Sequence, residues 1–271
     1  MYLSRNKTII LRKIHIVMNN TIYENLLIIM PILAIIVFAC LFFIKAGYGI
    51  FRTKEWGYSL PNKIGWIIME CPAFITMLYL WLSGNQRENL VLLIFFILFE
   101  LHYFQRTFIF PLLIKGKSRM PVSIMLMGIV FNVVNGFLIG YSLFHRTDTE
   151  KYSMEWLYSP FFIAGVIIFF TGMAINLHSD HVIRNLRPKG DTRHYLPQKG
   201  MYRLVTSGNY FGELLEWTGF AILTSDTAAW IFVFWTFANL APRAYAIRKQ
   251  YIKEFGAKAV GNRKCLIPFI Y

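Results

Sequence analysis

Residues 176–187 read NLHSDHVIRNLR, a polar and basic run placed between strongly apolar stretches of the chain. On a helix at about 100° per residue, four of its side chains fall within about 80° of one another and form one polar stripe: Asn176, Asp180, Arg184 and Arg187. A second stripe follows in residues 208–217, GNYFGELLEW: Asn209, Glu213 and Glu216. The sequence therefore predicts two polar stripes that meet where apolar sequence begins and ends.

The composition of the chain is that of a membrane protein. Of its 271 residues, 56% are hydrophobic and only 15% are charged, whereas about a quarter of an ordinary soluble domain is charged. Most of the apolar stretches approach the ~20 residues that a bilayer-spanning helix needs: 26–46, 64–83, 90–113, 121–144, 156–178, 210–224 and 227–242. We predict an all-α integral membrane protein with an N-terminal tail over 1–25 and a domain of seven transmembrane helices over 26–271. The last two stretches are short, which indicates helices that are either tilted or joined tightly through Ser225 and Asp226.

The chain carries 28 Lys and Arg residues against 14 Asp and Glu, and the distribution of the cations predicts a topology rather than a nucleic-acid partner. With the amino terminus outside, the inner loops and tail, with Lys45 at their boundary, hold 20 cations and the outer segments hold 7, while Arg106 lies within a predicted span. An excess of Lys and Arg marks the cytoplasmic side of a membrane protein. We expect an outer or luminal amino terminus and a cytoplasmic carboxyl terminus. By itself, the inner charge suits lipid headgroups as well as an anionic ligand.

Two predicted spans contain polar side chains at depths where such groups are costly and usually functional. At helical rise, Glu70 lies about 10 Å from the inner end of the second span and Tyr103 about 15 Å from the inner end of the third. The two side chains are therefore expected to meet in the inner half of the membrane. The alternative for Tyr103 is an ordinary packed tyrosine. Glu100 is expected to pair with Arg106 or His102.

The inner segments indicate what kind of ligand they could bind. The sequence has no glycine-rich dinucleotide motif after a strand pattern and no P-loop, so any nucleotide must be held among helix ends and inner loops. Amides and carboxylates of the stripes suit sugar hydroxyls, and cations suit phosphates. The candidate phosphate ligands are Lys115, Lys117, Arg184, Arg187 and Arg243. The three scattered cysteines have no paired spacing, and we expect neither a disulfide nor a metal site.

Five longer motifs resemble those of one enzyme family. They are residues 102–111 (HYFQRTFIFP), 172–180 (GMAINLHSD), 209–217 (NYFGELLEW), 241–245 (APRAY) and 263–271 (RKCLIPFIY). Together they resemble the steroid 5α-reductases, or 3-oxo-5α-steroid 4-dehydrogenases, over nearly all of the chain after Gly47. The carboxyl-terminal motifs are also similar to enoyl-CoA, polyprenol and sterol reductases, whereas the motif around Tyr103 favours the steroid branch.

The resemblance implies a seven-helix enzyme that binds NADPH in its inner half and reduces the Δ4 double bond of a 3-oxosteroid by hydride transfer to C5. It places Glu70 and Tyr103 at the steroid ketone. The implied cofactor residues are Tyr48, Phe131, Asn176, Asp180, Arg187, Asn209, Glu213, Arg243 and Tyr251, to which we add the inner cations Lys117 and Arg184. We assign Trp66, Met69 and Arg106 to the substrate side. Met69 departs from the family, which usually has Gln there.

Two alternatives stay open at this point. One is a reductase of another lipid enone or of an enoyl thioester, and the other is a seven-helix transporter or receptor, which would not require a dinucleotide. The expected partners are a steroid or other lipid enone and membrane lipid, and we expect the chain to act as a monomer. The expected location is the endoplasmic reticulum membrane in a eukaryote or the inner membrane in a bacterium.

Overall fold

A computed structural model describes residues 2–44, 47, 51, 53–116, 118–148, 150–188, 191 and 193–271, with side chains from Met18 onward except that of Lys54. The described chain is almost entirely helical. Its α-helices are α1 (Tyr2–Phe43), α2 (Asn62–Ser83), α3 (Leu90–Phe104), α4 (Phe110–Leu113), α5 (Val122–Tyr141), α6 (Pro160–Arg184), α7 (Gly208–Thr224), α8 (Thr227–Phe255) and α9 (Ala257–Val260). Two of the predicted cofactor residues, Tyr48 and Lys117, lie outside the described residues.

Short irregular elements complete the fold. Strands β1 (Ser59–Pro61) and β2 (Arg119–Pro121) pair antiparallel. Wider π-helical segments follow α3 at Gln105–Ile109 and α5 at Ser142–Arg146. Three 3₁₀ turns lie at Lys54–Trp56, Met154–Tyr158 and Gly200–Arg203.

Five segments of the described chain are long and apolar enough to cross a membrane. They are Met18–Phe43, Asn62–Ser83, Leu90–Leu113, Val122–Arg146 and Pro160–Arg184. Each corresponds to one of the first five predicted stretches, so the predicted class of all-α membrane protein agrees with the structure. The last two helices differ from the others in length: α7 has 17 residues, and α8 runs past the predicted end at residue 242 to Phe255. The predicted tail boundary at residue 25 falls inside α1, which is one helix from Tyr2.

The turn between α7 and α8 is as tight as the sequence predicts. Ser225 takes a left-handed conformation with φ 45°, which ends α7. Asp226 is the N-cap of α8, and its carboxylate accepts a hydrogen bond from Ala229 N at 3.1 Å. A side-chain oxygen at this position satisfies one of the free amides of the first helical turn.

Helices α6 and α7 form the most extensive helix contact in the structure, and glycines bring their backbones together. A Cβ added to Gly165 or Gly172 of α6 would lie 2.5 Å from Leu223 N or 2.2 Å from Glu216 N. A Cβ on Gly212 of α7 would lie 2.4 Å from Asn176 N. Small residues at such crossings let membrane helices approach closely and pack through backbone atoms. This contact places the predicted polar stripes of α6 and α7 against each other.

A buried polar network holds the helices together at the end of the bundle opposite these stripes. The Ser142 hydroxyl donates to Asp226 Oδ2 at 2.5 Å and accepts from the Tyr23 hydroxyl at 3.2 Å. The Tyr152 hydroxyl donates to Thr224 O at 2.5 Å. These bonds join α1, the segment after α5 and the α7–α8 turn. They hold the helices together at the end of the bundle that lies away from the stripes.

Loop contacts fix the end of the bundle that carries the stripes. Lys115 Nζ donates to Asn185 Oδ1 at 2.6 Å and joins the loop after α4 to the end of α6. The Arg263 guanidinium donates to Pro197 O at 2.9 Å, and Arg248 Nε donates to Arg263 O at 2.8 Å. The carboxyl-terminal segment therefore clamps the α6–α7 loop onto α8.

Candidate functional site

The candidate site begins where the amides and carboxylates of α6 and α7 meet. Asn176 Nδ2 donates to Asn209 O at 3.0 Å, and Asn209 Nδ2 donates to Asp180 Oδ1 at 3.1 Å. All three belong to the two predicted stripes, so the prediction that the stripes meet is confirmed. The Tyr202 hydroxyl lies 3.2 Å from Asn209 Oδ1 and donates to it. Burial raises the pKa of Tyr202 well above its ordinary value, which keeps this hydroxyl protonated.

Arg106 reaches the same cluster from the π-helical segment that follows α3. Its Nη1 lies 3.4 Å from Asp180 Oδ2, and its Nη2 lies 3.9 Å from Glu213 Oε2. The guanidinium stacks over the rings of Trp66 at 4.8 Å and Phe110 at 4.6 Å. A guanidinium both stacks on aromatic faces and pairs with carboxylates, so it can bridge an apolar wall and a polar one. Arg106, predicted on the substrate side, is therefore also paired with the predicted cofactor residues.

Tyr103 and Glu70 lie beside this arginine. Tyr103 is 3% exposed, and its ring packs 4.7 Å from that of Phe99 and 5.8 Å from that of Trp217. Glu70 is partly buried on α2, and Asn132 Nδ2 donates to its Oε2 at 3.2 Å. Glu70 and Tyr103 are within electrostatic range of each other and of Arg106. The structure thus brings together the two polar side chains that were expected to meet in the inner half of the bundle.

A buried hydrogen-bonded pair lies beside Tyr103 on the α7 side, and the sequence did not reveal it. His102 Nδ1 lies 2.9 Å from Glu216 Oε1, and the exposed fractions of the two side chains are 6% and 1%. The His102 ring also packs 4.5 Å from that of Trp217. This pair is different from the expected one, because Glu100 bonds neither His102 nor Arg106. Both Glu100 oxygens are buried without a hydrogen-bond partner among the described residues.

The remaining predicted cations belong to the end of α6, the segment after it, and α8. Arg184 is half-buried and within electrostatic range of Asp180. Helix α6 ends at Arg184, so Arg187 lies beyond the helix and its place in a helical stripe was wrong. Arg187 instead lies within electrostatic range of Tyr251 of α8. Arg243 of the same helix stacks 5.6 Å from the ring of Tyr210.

Two other predicted site residues pack against apolar neighbours or a helix backbone. Phe131 packs 5.1 Å from Trp235 and 6.1 Å from Phe232 in the apolar core, and not in the polar cluster. Met69 packs over Gly128, where an added Cβ would lie 2.4 Å from Met69 Cγ. Asn132, one residue after Phe131, was not predicted, although it bonds both Glu70 and Met69 O. Asn132 is a polar residue inside an apolar span, and this sequence signal could have identified it as a site residue.

The site is therefore continuous from apolar to polar. Its apolar end holds Tyr103 and Glu70 among aromatic rings, its middle holds Arg106 between two carboxylates, and its outer end holds amides, tyrosines and arginines. Among the described residues, no group of three His, Cys, Asp or Glu side chains could hold a metal ion. An arrangement of this kind can bind an apolar molecule with a polar tip next to a larger polar and anionic one.

Comparison with known proteins identifies the family to which this chain belongs. A family model described as 3-oxo-5-alpha-steroid 4-dehydrogenase matches residues 118–271. The chain is 34% identical to a steroid 5-alpha-reductase of Gossypium hirsutum over 257 residues, which cover 93% of this chain and 99% of that protein. It is 32% identical to 3-oxo-5-alpha-steroid 4-dehydrogenase 1 of Bos taurus over 88% of this chain and 93% of that protein. Identity to the Homo sapiens protein of the same name is 35%, over 83% of this chain and 86% of that protein. The chain therefore belongs to the steroid 5-alpha-reductase family, whose members are oxidoreductases that act on CH–CH bonds.

Proposed function

We propose that this protein uses NADPH to reduce the Δ4 double bond of a 3-oxosteroid. Hydride transfer to C5 and a proton from water to C4 would give a 5α-dihydro-3-oxosteroid. The observation that carries the proposal is the position of Arg106. It stacks on Trp66 beside Tyr103 and Glu70, and it pairs with Asp180 and Glu213 of the α6–α7 cluster. A steroid ketone and a dinucleotide would therefore meet at one residue.

The side chains of the α6–α7 cluster fit a dinucleotide. The Ser179 and Ser207 hydroxyls are buried near the start of α7 and have no hydrogen-bond partner among the described residues. Buried polar atoms without partners are rare and usually indicate a missing ligand or water. Asn176, Asp180 and Asn209 offer amides and a carboxylate to sugar hydroxyls, while cations nearby suit phosphates. The proposed cofactor set also includes Glu213, Arg184, Arg187, Arg243 and Tyr251. NADPH bound here would supply the hydride.

Tyr103 and Glu70 are proposed to hold the ketone end of the steroid. As hydride reaches C5, negative charge develops on the ketone oxygen, and a donor fixed there stabilises the transition state more than the neutral substrate. The Tyr103 hydroxyl is such a donor, and Glu70 donates when it carries a proton. Asn132 Nδ2 donates to one oxygen of Glu70 and holds the carboxyl group in place.

Arg106 is the cation that would keep Glu70 ionised if it paired with it. The geometry favours other partners, since both terminal nitrogens of Arg106 face carboxylates of α6 and α7. A guanidinium already engaged in this way has less to offer a third carboxylate. We therefore propose that Glu70 works as a neutral acid and that Arg106 orders the boundary between steroid and cofactor.

The chemical roles are tested by single-turnover reduction with deuterated NADPH. Loss of one such donor typically lowers turnover by ~10²–10³, so Tyr103→Phe and Glu70→Gln should each retain NADPH binding and lose most of the reduction. Asn132→Asp serves as a control that alters the contact to Glu70 without touching the ketone. Chemical rates close to wild type in both Tyr103→Phe and Glu70→Gln would refute the proposed mechanism. Mass spectrometry over a panel of steroid enones, other lipid enones and enoyl thioesters identifies the substrate class by a gain of two hydrogens.

The cofactor assignment is tested through NADPH binding itself. Arg187→Ala removes a cation, and Asn209→Ala removes the side-chain hydrogen bonds to Asp180 and from Tyr202. Both variants should therefore raise the dissociation constant for NADPH. Arg193→Ala is the matched control, because Arg193 lies on the same loop and pairs with Asp191. Equal NADPH binding in Arg187→Ala and the control would remove Arg187 from the site. Equal use of NADH and NADPH would show that the site does not bind the 2′-phosphate.

The proposed topology has seven crossings, with the amino terminus outside and the carboxyl terminus in the cytoplasm. α7 and α8 supply the last two crossings, and the polar end of the bundle faces cytosolic NADPH. The proposed location is the endoplasmic reticulum membrane in a eukaryote or the inner membrane in a bacterium, with the chain as a monomer. Single cysteines at the exposed Ser118 and Glu150 test the orientation in intact vesicles. Labelling of Ser118→Cys, and not of Glu150→Cys, from the outside would reverse the model.

A further inference from the structure

A groove on the exposed face of α6, away from α7, lies outside the site described above. It has a volume of about 590 Å³ and is lined by Phe170, Thr171, Ala174, Ile175, His178, Gly200 and Met201. The first five residues share one helical face over nine residues, or ~12 Å of helix. The last two belong to the 3₁₀ turn Gly200–Arg203, which covers the end of the groove next to the polar end of the bundle.

The walls of the groove are apolar along most of its length. Phe170 is 46% exposed, and Ala174 is also exposed on this face. The Thr171 hydroxyl donates to Ile167 O at 2.7 Å, so its proton is already used within the helix. The α6 segment that carries them is long and apolar enough to cross a membrane. The body of the groove is therefore suited to a hydrocarbon chain.

The end of the groove is shaped by the contact between His178 and Gly200. Gly200 has φ +57°, and a Cβ there would lie 2.3 Å from His178 Cε1. Any other residue would be strained in this conformation and would collide with the imidazole ring. Met201 packs on the other side against Gly208, where an added Cβ would lie 3.1 Å from Met201 Cβ. The turn is thus held in one position over the groove.

Uncompensated positive charge surrounds this end of the groove. Lys199 and Arg203 are exposed at the two ends of the turn, and the side chain of neither forms an ion pair or hydrogen bond with the described residues. Lys264, also exposed, lies beside them, because its backbone N donates to Leu204 O at 3.0 Å. No Asp or Glu occurs in the sequence between Asp191 and Glu213. Phe269 and Ile270, which follow Lys264 in the chain, are also exposed. Exposed apolar side chains next to cations are typical of segments that lie at a membrane interface.

We propose that this groove binds one molecule of an anionic phospholipid, with an acyl chain along α6 and the phosphate at Lys199 and Arg203. A cation at the membrane surface contributes about fivefold to the affinity for an anionic headgroup. Two such cations contribute roughly 25-fold. His178 lies at the junction between the two parts and can donate a hydrogen bond to the headgroup. A zwitterionic lipid of the same chain length lacks the net charge and binds less tightly.

The test is native mass spectrometry of the purified full chain, released from detergent after titration with phosphatidylglycerol or phosphatidylcholine of identical acyl chains. We expect one retained phosphatidylglycerol per chain at concentrations where phosphatidylcholine is lost. The double variant K199Q/R203Q should reduce phosphatidylglycerol retention roughly 25-fold. Ala174→Trp should abolish it by filling the groove, while Ile163→Trp, on an exposed part of α6 outside the groove, should leave it unchanged.

Three results would overturn the proposal. Equal retention of the two lipids would show that the cations do not recognise a headgroup. Unchanged retention in Ala174→Trp would show that the acyl chain lies elsewhere, and displacement of the lipid by an uncharged steroid at equal stoichiometry would assign the groove to a neutral ligand. A second readout is thermal unfolding, where phosphatidylglycerol should stabilise the wild type and Ile163→Trp but not Ala174→Trp. This readout also shows whether each variant is folded.

Discussion

Gly212 lies at the closest approach of α7 to the part of α6 that carries Asn176, and Gly212→Ala tests whether this contact builds the site. The added Cβ would lie 2.4 Å from Asn176 N, whereas ordinary van der Waals contact begins near 3.4 Å. The obstacle is backbone and not the flexible end of a side chain, so α6 and α7 must separate by roughly 1 Å. Helix separation is therefore the expected response.

The magnitude follows from the bonds that cross this contact. The hydrogen bond from Asn176 Nδ2 to Asn209 O is 3.0 Å long, and an increase of roughly 1 Å takes it beyond hydrogen-bonding range. Overpacking of this kind costs about 1–3 kcal/mol, and a lost hydrogen bond adds about 1 kcal/mol. We expect a destabilisation of about 2–4 kcal/mol. If about 1.4 kcal/mol of this destabilisation acts on the proposed cofactor residues, NADPH binding weakens about tenfold.

The assay pairs thermal unfolding in detergent with NADPH titration, and Gly165→Ala is the matched control. A Cβ on Gly165 would meet Leu223 N at 2.5 Å, the same kind of backbone collision at the opposite end of the same helix pair. Both variants should unfold at lower temperature, but only Gly212→Ala should weaken NADPH binding. Gly140→Ala meets the flexible side chain of Leu80 at 2.8 Å and should have a smaller effect on unfolding.

The reasoning fails if Gly212→Ala and Gly165→Ala weaken NADPH binding equally, since the loss would then reflect general loosening of the bundle. It also fails if Gly212→Ala binds NADPH as the wild type does while being less stable. In that case the α6–α7 distance would be structural only, and the amide cluster would not hold the cofactor.

Three further predictions concern stability. Glu100→Leu should raise the midpoint of thermal unfolding by a few degrees. It removes a buried carboxyl group whose oxygens have no hydrogen-bond partner among the described residues, which costs about 1–3 kcal/mol. A lower midpoint would show that Glu100 makes a stabilising contact. Asp226→Ala should destabilise the protein by about 1–2 kcal/mol in chemical unfolding, through loss of the α8 cap and of the Ser142 contact, with Asp226→Asn milder. Burial raises the pKa of Tyr271 from 10.0 to about 12. The contribution of its protonated hydroxyl to stability is therefore complete below pH 10 and is lost as the pH rises through 12. Tyr271→Phe should flatten this part of the profile of unfolding midpoint against pH, and identical profiles for the two proteins would contradict the prediction.

Much of the fold follows from the sequence, because bilayer thickness fixes the length of a crossing helix. The tight α7–α8 turn was predictable from two polar residues between apolar stretches. The meeting of Asn176, Asp180 and Asn209 was predictable from helical periodicity. Arg187 was misplaced because α6 ends at Arg184: Pro188 disfavours helical geometry at the residue before it, and Asn185 closes the helix.

Tertiary pairing could not be predicted in the same way. Arg106 lies in a π-helical segment, whose wider turn changes the direction of each side chain from that of an α-helix at 100° per residue. Which carboxylates it meets therefore depends on the local backbone. Glu100 and His102 are two residues apart and do not share a helical face, so a pair between them was geometrically unfavourable. His102 meets Glu216 because α3 and α7 are neighbours. The periodicity of a sequence predicts the faces of each helix but not which helices are neighbours.

The order of charges along the site suggests how a dinucleotide would lie in it. Asn176 and Asp180 are buried on α6, Arg184 is half-buried one turn later, and Arg187 beyond the helix end is exposed. Carboxylates repel phosphates and accept hydrogen bonds from sugar hydroxyls, whereas guanidinium groups bind phosphates. We infer that the uncharged nicotinamide riboside would lie deep, near Arg106, with the phosphates toward Arg184 and Arg187. In this direction the nicotinamide would lie on the side of Tyr103 and Glu70, because Arg106 lies beside both residues and pairs with the α6–α7 cluster.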